Sequence, residues 1–446
     1  MTQHITKALL MLALLLAMSG CAERLDLKPF QSVSEELALG SDGNVKTVLT
    51  GAYDALSDGD LYGGNILRNA ELLGGDDEVA WVGTFNGPRE IFNKAMITTN
   101  GDVELMWTES YQTINIANNV IASLAVVNEA DRAQVEGEAL FIRSLMYFDL
   151  VRFFAPQYET ATANEAGVPL VLTPTRDVSA ASQVSRASIG QVYAQIIADL
   201  TKAEGLLASE NDYQATAGAA AALLARVYLQ QGAYAEATAA ADRVISSGVY
   251  ALNGDYEDAF NLDENGAEDI FAIQLTEQDG VNNMNLFFSI PDFGGRDGDI
   301  EVLEDHLALY DAADTRLALF FEGNGATRSG KWNNQFGNIS VIRLAEMYLI
   351  RAEANLRQGS STGAEPLADY NTLRERAGLP AATAVTVDDI LLERRRELAH
   401  EGFRIHDQRR TRQSVGSRPY NDPKLVFPIP QREINANPNL SQNTGY

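Results

Sequence analysis

Apolar positions recur at helical spacing over most of this chain, and the clearest run lies over 339–412. There Val341, Ala345, Tyr348 and Ala352 follow the i, i+4, i+7, i+11 recurrence of one helix face, widened by Leu344, Leu349 and Leu356. Gly359 and Gly363 stop that helix, and ADYNTLRERAGL predicts another that ends at Gly378 and Pro380. A third is expected from Thr386, with Asp388 and Asp389 in its first turn, where they suit the helix dipole. Its pattern runs through Ile390, Leu391, Arg394 and Leu398 towards Phe403, Ile405 and His406.

The same spacing predicts helices over VKTVLTGAYDAL and over VELMWTESYQTINIANNVIASL, the latter with Trp107, Tyr111, Ile114, Asn118 and Ile121 on one face. ADRAQVEGEALFIRSLMYFDLVRFFA is a further helix, closed by Pro156, and 188–207 is another. The segment that follows, ATAGAAAALLARVYLQQGAYAEATAAADRVISSG, reads as a tetratricopeptide-like hairpin. Ala221, Ala222 and Ala225 allow close helix approach, Gly232 makes the turn, Tyr234 caps the groove, and Ala237 and Ala241 pack back. One clear unit is visible, so periodicity alone does not establish a solenoid.

Two stretches lack period. DGDLYGGNILRNAELLGGDDEVAWVGTFNGPRE is rich in Gly and Asp. Across 250–340, Asn, Asp and Gly clusters surround short apolar runs, with a strand expected at DIFAIQL and a brief helix at IEVLEDHLALYDAAD. That block reads as a loop-rich insertion on a helical frame, the kind of place where binding residues concentrate. At the other end, Lys7, an apolar run over 8–18, then Ser19 and Gly20 make a secretory signal too short to span a bilayer as a mature helix. The chain's one cysteine, Cys21, follows at once. MSGC resembles a lipobox, with Met18 where leucine is commonest, and predicts cleavage before Cys21 and lipidation of its thiol. The expected organisation is a signal peptide over 1–20, a lipidated tether over 21–45 and one domain over 46–446.

Hydrophobic content of 46% is that of a folded chain, and a single cysteine excludes an internal disulfide. A formal charge of −27, from 61 acids against 34 bases, argues against nucleic acid as a partner. GATRSGKW mimics a phosphate-binding loop, but Trp332 stands where Ser or Thr must ligate magnesium and no helix follows. His306, His400 and His406 lack the spacing of a zinc site, and LDENGAED lacks the alternating ligand order of a calcium loop. No metal or other cofactor is therefore expected, with calcium at LDENGAED the one alternative left open. Carboxylate pairs such as Asp76 and Asp77 are common by chance among so many acids and do not identify a hydrolase. The Arg394-Arg395-Arg396 run is interleaved with Glu393, Glu397, Glu401 and Asp407. It reads as a structural cluster, pairing Glu393 with Arg396, Arg394 with Glu397 and Glu401 with Arg404 within the helix.

What remains is a mixture of aromatics, amides and arginines in the irregular segments. Sugar rings stack their C–H faces on flat aromatics, and their hydroxyls take Asn, Asp and Arg as partners. Candidate ligand-binding residues are Trp81, Phe85, Asn86 and Arg89 in the first stretch, Asn283, Phe293 and Arg296 in the second, and Trp332 in a Gly/Asn loop. The competing reading for Trp81 or Phe288 is an anchor that fixes its own loop into the core.

RLAEMYLIRAEANLR, ERRRELAHEGFRIHDQRR and the closing NPNLSQNTGY, with GEALFIRSLMYFDLVRFF and GVPLVL earlier, resemble the SusD/RagB family of Bacteroidota surface lipoproteins. The resemblance implies a mainly α fold on tetratricopeptide-like hairpins with an irregular, partly β insertion. It implies a non-catalytic glycan-binding lipoprotein of the outer membrane, exposed at the cell surface and held to lipid through Cys21. Such a protein hands its ligand to a SusC-like TonB-dependent transporter, and RagB-like members take peptides instead. Two other functions stay open on the residues alone: a surface glycoside hydrolase and a tetratricopeptide-type adaptor.

Overall fold

The computed structural model describes residues 38–75, 77–177, 179, 182–278 and 280–446. The signal segment, Cys21 and the tether up to residue 37 lie outside the described residues. Helix α1 (Asp42–Leu56) starts at Ser41, whose hydroxyl accepts from the Asn44 N–H, and buries Val45, Leu49, Ala52 and Leu56. Next come α2 (Asn65–Gly74), β1 (Val79–Trp81) and α3 (Asn86–Phe92). The Asn100 side chain caps α4 (Gly101–Ala122), and α5 (Glu129–Phe154) is buried along its whole second half. A short hairpin of β2 (Ala166–Pro169) and β3 (Arg186–Ser188) leads into α6 (Ile189–Leu206), which opens on a capping box of Ser188 and Gln191.

The tetratricopeptide-like unit is α7 (Ala217–Gln231) and α8 (Tyr234–Ser246), joined at Gly232, whose φ of 75° is the left-handed conformation that ends helices. Ala219, Ala220, Ala221, Ala222 and Ala225 are buried in it. Successive helices pack on one another: α5 on α4 and α6, α6 on α7, α7 on α8, and α8 on α11 (Leu344–Gln358) further along the chain.

The intervening block holds β4 (Asp269–Ile273), α9 (Asn283–Phe288), β5 (Ile300–Val302), α10 (Glu304–Leu307), β6 (Phe320–Gly323), β7 (Ala326–Ser329) and β8 (Ile339–Arg343). β4 pairs antiparallel with β8, bringing the two ends of residues 274–338 together. β6 and β7 form a hairpin over Asn324 and Gly325, both at positive φ. The helix expected to include Val341 therefore begins only at Leu344. ISVIR is β-branched, apolar on both faces and matched by a strand partner, so pairing overrides the helical recurrence. The brief helix expected over IEVLEDHLALYDAAD is strand β5 followed by the single turn of α10.

After α11 come α12 (Pro366–Arg376), α13 (Val387–Glu397), α14 (Arg404–Arg410) and α15 (Gln431–Ala436). Thr386 caps α13 with Asp389 in a capping box. The third helix stops at Glu397 instead of reaching His406. His400 and Gly402 take positive φ, and a Cβ on Gly402 would lie 3.0 Å from the Leu67 Cα of α2. Glu71 of α2 accepts the Gly402 and Phe403 N–H groups at 2.8 and 3.1 Å, so α2 supplies the entry to α14.

The charged residues of α13 mostly reach across to other elements, because the helix is buried. Glu397 meets Arg316 and Arg343, each at 3.2 Å, and also Arg376. Glu393 meets Arg316 at 2.6 Å, Arg394 meets Asp407 at 3.1 Å, and Arg395 and Arg404 share Glu78 at 2.6 Å each. Of the expected intrahelical pairs, Glu393–Arg396 stands at 3.7 Å, while among the described residues the acids of the other two bind elsewhere.

Candidate functional site

Strand pairing assembles the site from two distant stretches. β1 runs antiparallel to β5, with Val79 opposite Val302 and Trp81 opposite Ile300. The Val82 N–H then donates to the Asp299 carbonyl at 2.8 Å, so residues 82–89 lie beside 293–299. Arg296 bridges them. Its guanidinium donates to the Thr84 hydroxyl, pairs with Asp299 at 3.3 Å and lies 4.2 Å from the centre of the Phe85 ring. That is cation–π distance, and the carboxylate and hydroxyl fix the orientation of the guanidinium.

Phe85 also meets Phe287 of α9, edge-on at 6.1 Å. Phe287 is buried, with Trp81 at 5.7 Å and the Arg68 guanidinium over its face at 4.5 Å. Arg68 in turn is paired with Asp102 at the start of α4. A buried stack thus supports one ring at the surface: Phe85 is 49% exposed, beside Val82 at 52%. Arg89 flanks it, donating to the Gly83 carbonyl at 2.6 Å and to the Asn86 side-chain oxygen at 3.2 Å. Both Asn86 and Arg89 are exposed.

Of the eight candidates, the fold brings Phe85, Asn86, Arg89 and Arg296 together. Phe293 is on the adjoining loop, 41% exposed, edge-on to Phe321 at 5.5 Å, and its carbonyl accepts from Asn285 at 3.1 Å. The other three face inward. Trp81 and Trp332 are 7% and 5% exposed within the hydrophobic core, so neither presents a ring face to a ligand. Asn283 donates to the Gly59 carbonyl at 3.0 Å and to Asn65 at 3.2 Å, fixing the turn before α2. Their loop setting suggested exposure, but their apolar area and amide donors serve the interior. Thr84, Val82 and Phe287 were not anticipated. Phe287 and Phe288 form an apolar pair beside Asn283, and that pair is the signal in the sequence that one ring supports a neighbour.

The other candidate chemistries are absorbed by structure. Lys331 of the mimic phosphate loop is buried, donating to the Glu397 and Ala399 carbonyls and to Glu401. In LDENGAED, Asp263 accepts from Asn334, Asp269 from the Gly266 N–H, and Asn265 from Gln274 and Asn338. Among the described residues no group of three or more His, Cys, Asp or Glu side chains is placed to hold a metal ion. His400 and His406 are buried against Phe288 and Phe153, and burial pushes both well below the usual imidazole range.

Comparison with known proteins agrees with this architecture. A family model described as "Starch-binding associating with outer membrane" matches residues 25–229, and the SusD family model matches residues 317–423. The SusD-like protein P2 of Formosa agariphila is 24% identical over 98% of both chains. A solved SusD superfamily protein from Bacteroides thetaiotaomicron superposes with a TM-score of 0.83 at 26% identity, covering 90% of this chain and 99% of that one. A solved laminarin-binding SusD-like protein gives 0.77 at 25% identity, covering 91% and 100%. With both models matching in order along it and the helical frame superposing nearly end to end, this chain belongs to the SusD/RagB family.

Proposed function

We propose that this protein is a non-catalytic, cell-surface glycan-binding lipoprotein that captures an oligo- or polysaccharide and passes it to a SusC-like TonB-dependent transporter. The observation that carries the reading is Phe85, half exposed, stacked under Arg296 and buttressed by Phe287, with Arg89 and Asn86 beside it. A sugar ring set against the part of Phe85 that Arg296 leaves open finds guanidinium and amide groups within reach of its hydroxyls. The glycan-binding relative named above supports the ligand class. Hand-off requires only that the ligand favour the closed assembly of lipoprotein and transporter over the open one.

Affinity electrophoresis against a polysaccharide panel that includes laminarin tests the reading. Retardation is expected with at least one polysaccharide, lost in Phe85→Ala, with no new reducing ends after long incubation. Product formation would replace the binding protein by a hydrolase. Retention by peptides alone would move the ligand to the RagB type. Co-purification with a TonB-dependent barrel from detergent-solubilised membranes tests the partner.

A further inference from the structure

A cavity lies at the C-terminal end of α5, between the loop over 156–166 and the chain's last residues. It measures about 620 Å³, within the range of small-ligand sites, and shares no residue with the Phe85 surface. Arg186 and Arg409 line it. Every other buried arginine among the described residues has a carboxylate no farther than 3.8 Å away. Arg409, 3% exposed, is the exception: it donates to the carbonyls of Arg152 at 2.6 Å and Ala155 at 2.8 Å. Among the described residues Arg186 likewise has only carbonyl partners, on Phe154, Ala166, Gly167 and Ser441. Burial pushes both guanidinium pKa values down to about 10.

Capping α5 accounts for some of these bonds, since the last carbonyls of a helix welcome cations. A helix end carries only about half a negative charge, however, so it offsets only part of the two guanidinium charges. That imbalance occurs in a chain of net charge −27, where carboxylates are abundant. A desolvated cation without a counter-charge is costly, and one that lines a cavity can recover the loss from a bound anion. Three acids also line the space. Glu159 is engaged by Arg412 at 3.2 Å and Asp422 by Arg418 at 3.0 Å, while Glu165 is exposed. Of the rest of the wall, the half-exposed ring of Tyr420 and the exposed Asn421 amide suit a sugar, while the Gln442 amide is held by Ile429 and Asn443 and the Thr162 hydroxyl by Gln157 and Glu159.

We propose that this cavity binds an acidic saccharide, with its carboxylate or sulfate group set against Arg186 and Arg409. Calorimetric titration of the full chain with glucuronate, glucose 6-sulfate and glucose tests it. Both acidic sugars should bind and glucose should not, and Arg186→Gln should weaken the acidic sugars by about ten-fold or more. Glucose binding as well as glucuronate, or Arg186→Gln binding unchanged, would overturn the proposal. Inorganic sulfate or a dipeptide matching the acidic sugars would overturn the saccharide assignment.

Arg186 also ties the C-terminal segment through Ser441, so a second variant guards against a folding artefact. Glu165→Gln removes one negative wall charge without touching any bond of Arg186, and it should tighten glucuronate by about two-fold. Unchanged or weaker binding there counts against the proposal. Phe85→Ala should leave glucuronate affinity as it is, which separates this cavity's fate from that of the proposed glycan surface.

Discussion

Glu71 sits where the chain least favours an acid. It lies within the buried helix α2, and burial raises its pKa to about 7. Of the Gly402 and Phe403 N–H groups it accepts from, the Gly402 one pulls the value down, as do the backbone and charge of Arg404, and the charge of Glu78 nearby pushes it up. Because the folded value is above the ordinary one of 4.5, folding favours the protonated form. Its contribution is complete below that ordinary value and is lost as pH rises through about 7, an effect on the order of 3 kcal/mol. Glu71→Gln keeps an oxygen for both N–H groups and cannot ionise. Thermal melts should show the variant gaining on the parent between about pH 5 and pH 8, and parallel curves would refute the assignment. The aromatics divide in the same residue-by-residue way. Trp332→Ala, at a core position, should cost about 3–5 kcal/mol of stability. Phe85→Ala should cost under about 1 kcal/mol, yet abolish retardation by glycan. Denaturant melts and affinity gels on the two variants measure both halves of that contrast.

Among the elements, α13 shows most clearly what the sequence could and could not convey. Its start at Thr386 was legible from the cap, and the α7–α8 hairpin was legible from Gly232 and the alanine spacing. Helix α2 was not, because all ten of its residues are buried and a helix without a polar face has no periodicity to read. Asn324-Gly325 marks the β6–β7 hairpin by ordinary turn chemistry, a signal available in the sequence and passed over. The candidate surface was half legible. Aromatic and amide composition pointed to loops that the fold brings side by side, but whether Phe85 or Trp81 faces solvent depends on α9 and β5, about two hundred residues away. The partners of α13 were hidden for the same reason. Glu397 is buried, which alone would raise its pKa, but Arg376, Arg343 and Arg316 outweigh that and hold it well below the usual carboxylate range. Its stabilising contribution is therefore present above the ordinary value of 4.5 and lost as pH falls below it. Glu397→Ala would leave three buried guanidiniums short of a counter-charge, and a loss of about 3–5 kcal/mol is expected in urea melts at neutral pH. A cost below about 1 kcal/mol would mean that Glu393, Glu401 and Glu268 can absorb those cations unaided.

For the molecule as a whole, the question on the proposed reading is what would keep a body of net charge −27 at a membrane. Among the described residues no helix is long and apolar enough to cross one. An acidic balance of that size disfavours electrostatic attraction to anionic headgroups, the help that a weak anchor often takes from a polybasic segment. Attachment on the proposed reading then rests on the acyl chains carried by Cys21. Each buried methylene contributes about 0.8 kcal/mol, so a single chain holds marginally and two hold firmly. Cys21→Ser should accordingly move the protein from the detergent phase to the aqueous phase on partitioning, with its affinity for glycan in solution unchanged. Uptake of that glycan by whole cells should fall nonetheless, because release from the surface removes the high effective concentration beside the transporter that tethering supplies. A Cys21→Ser protein that still partitions with detergent would place the anchor elsewhere. One that is released but supports full uptake would break the link between tethering and hand-off.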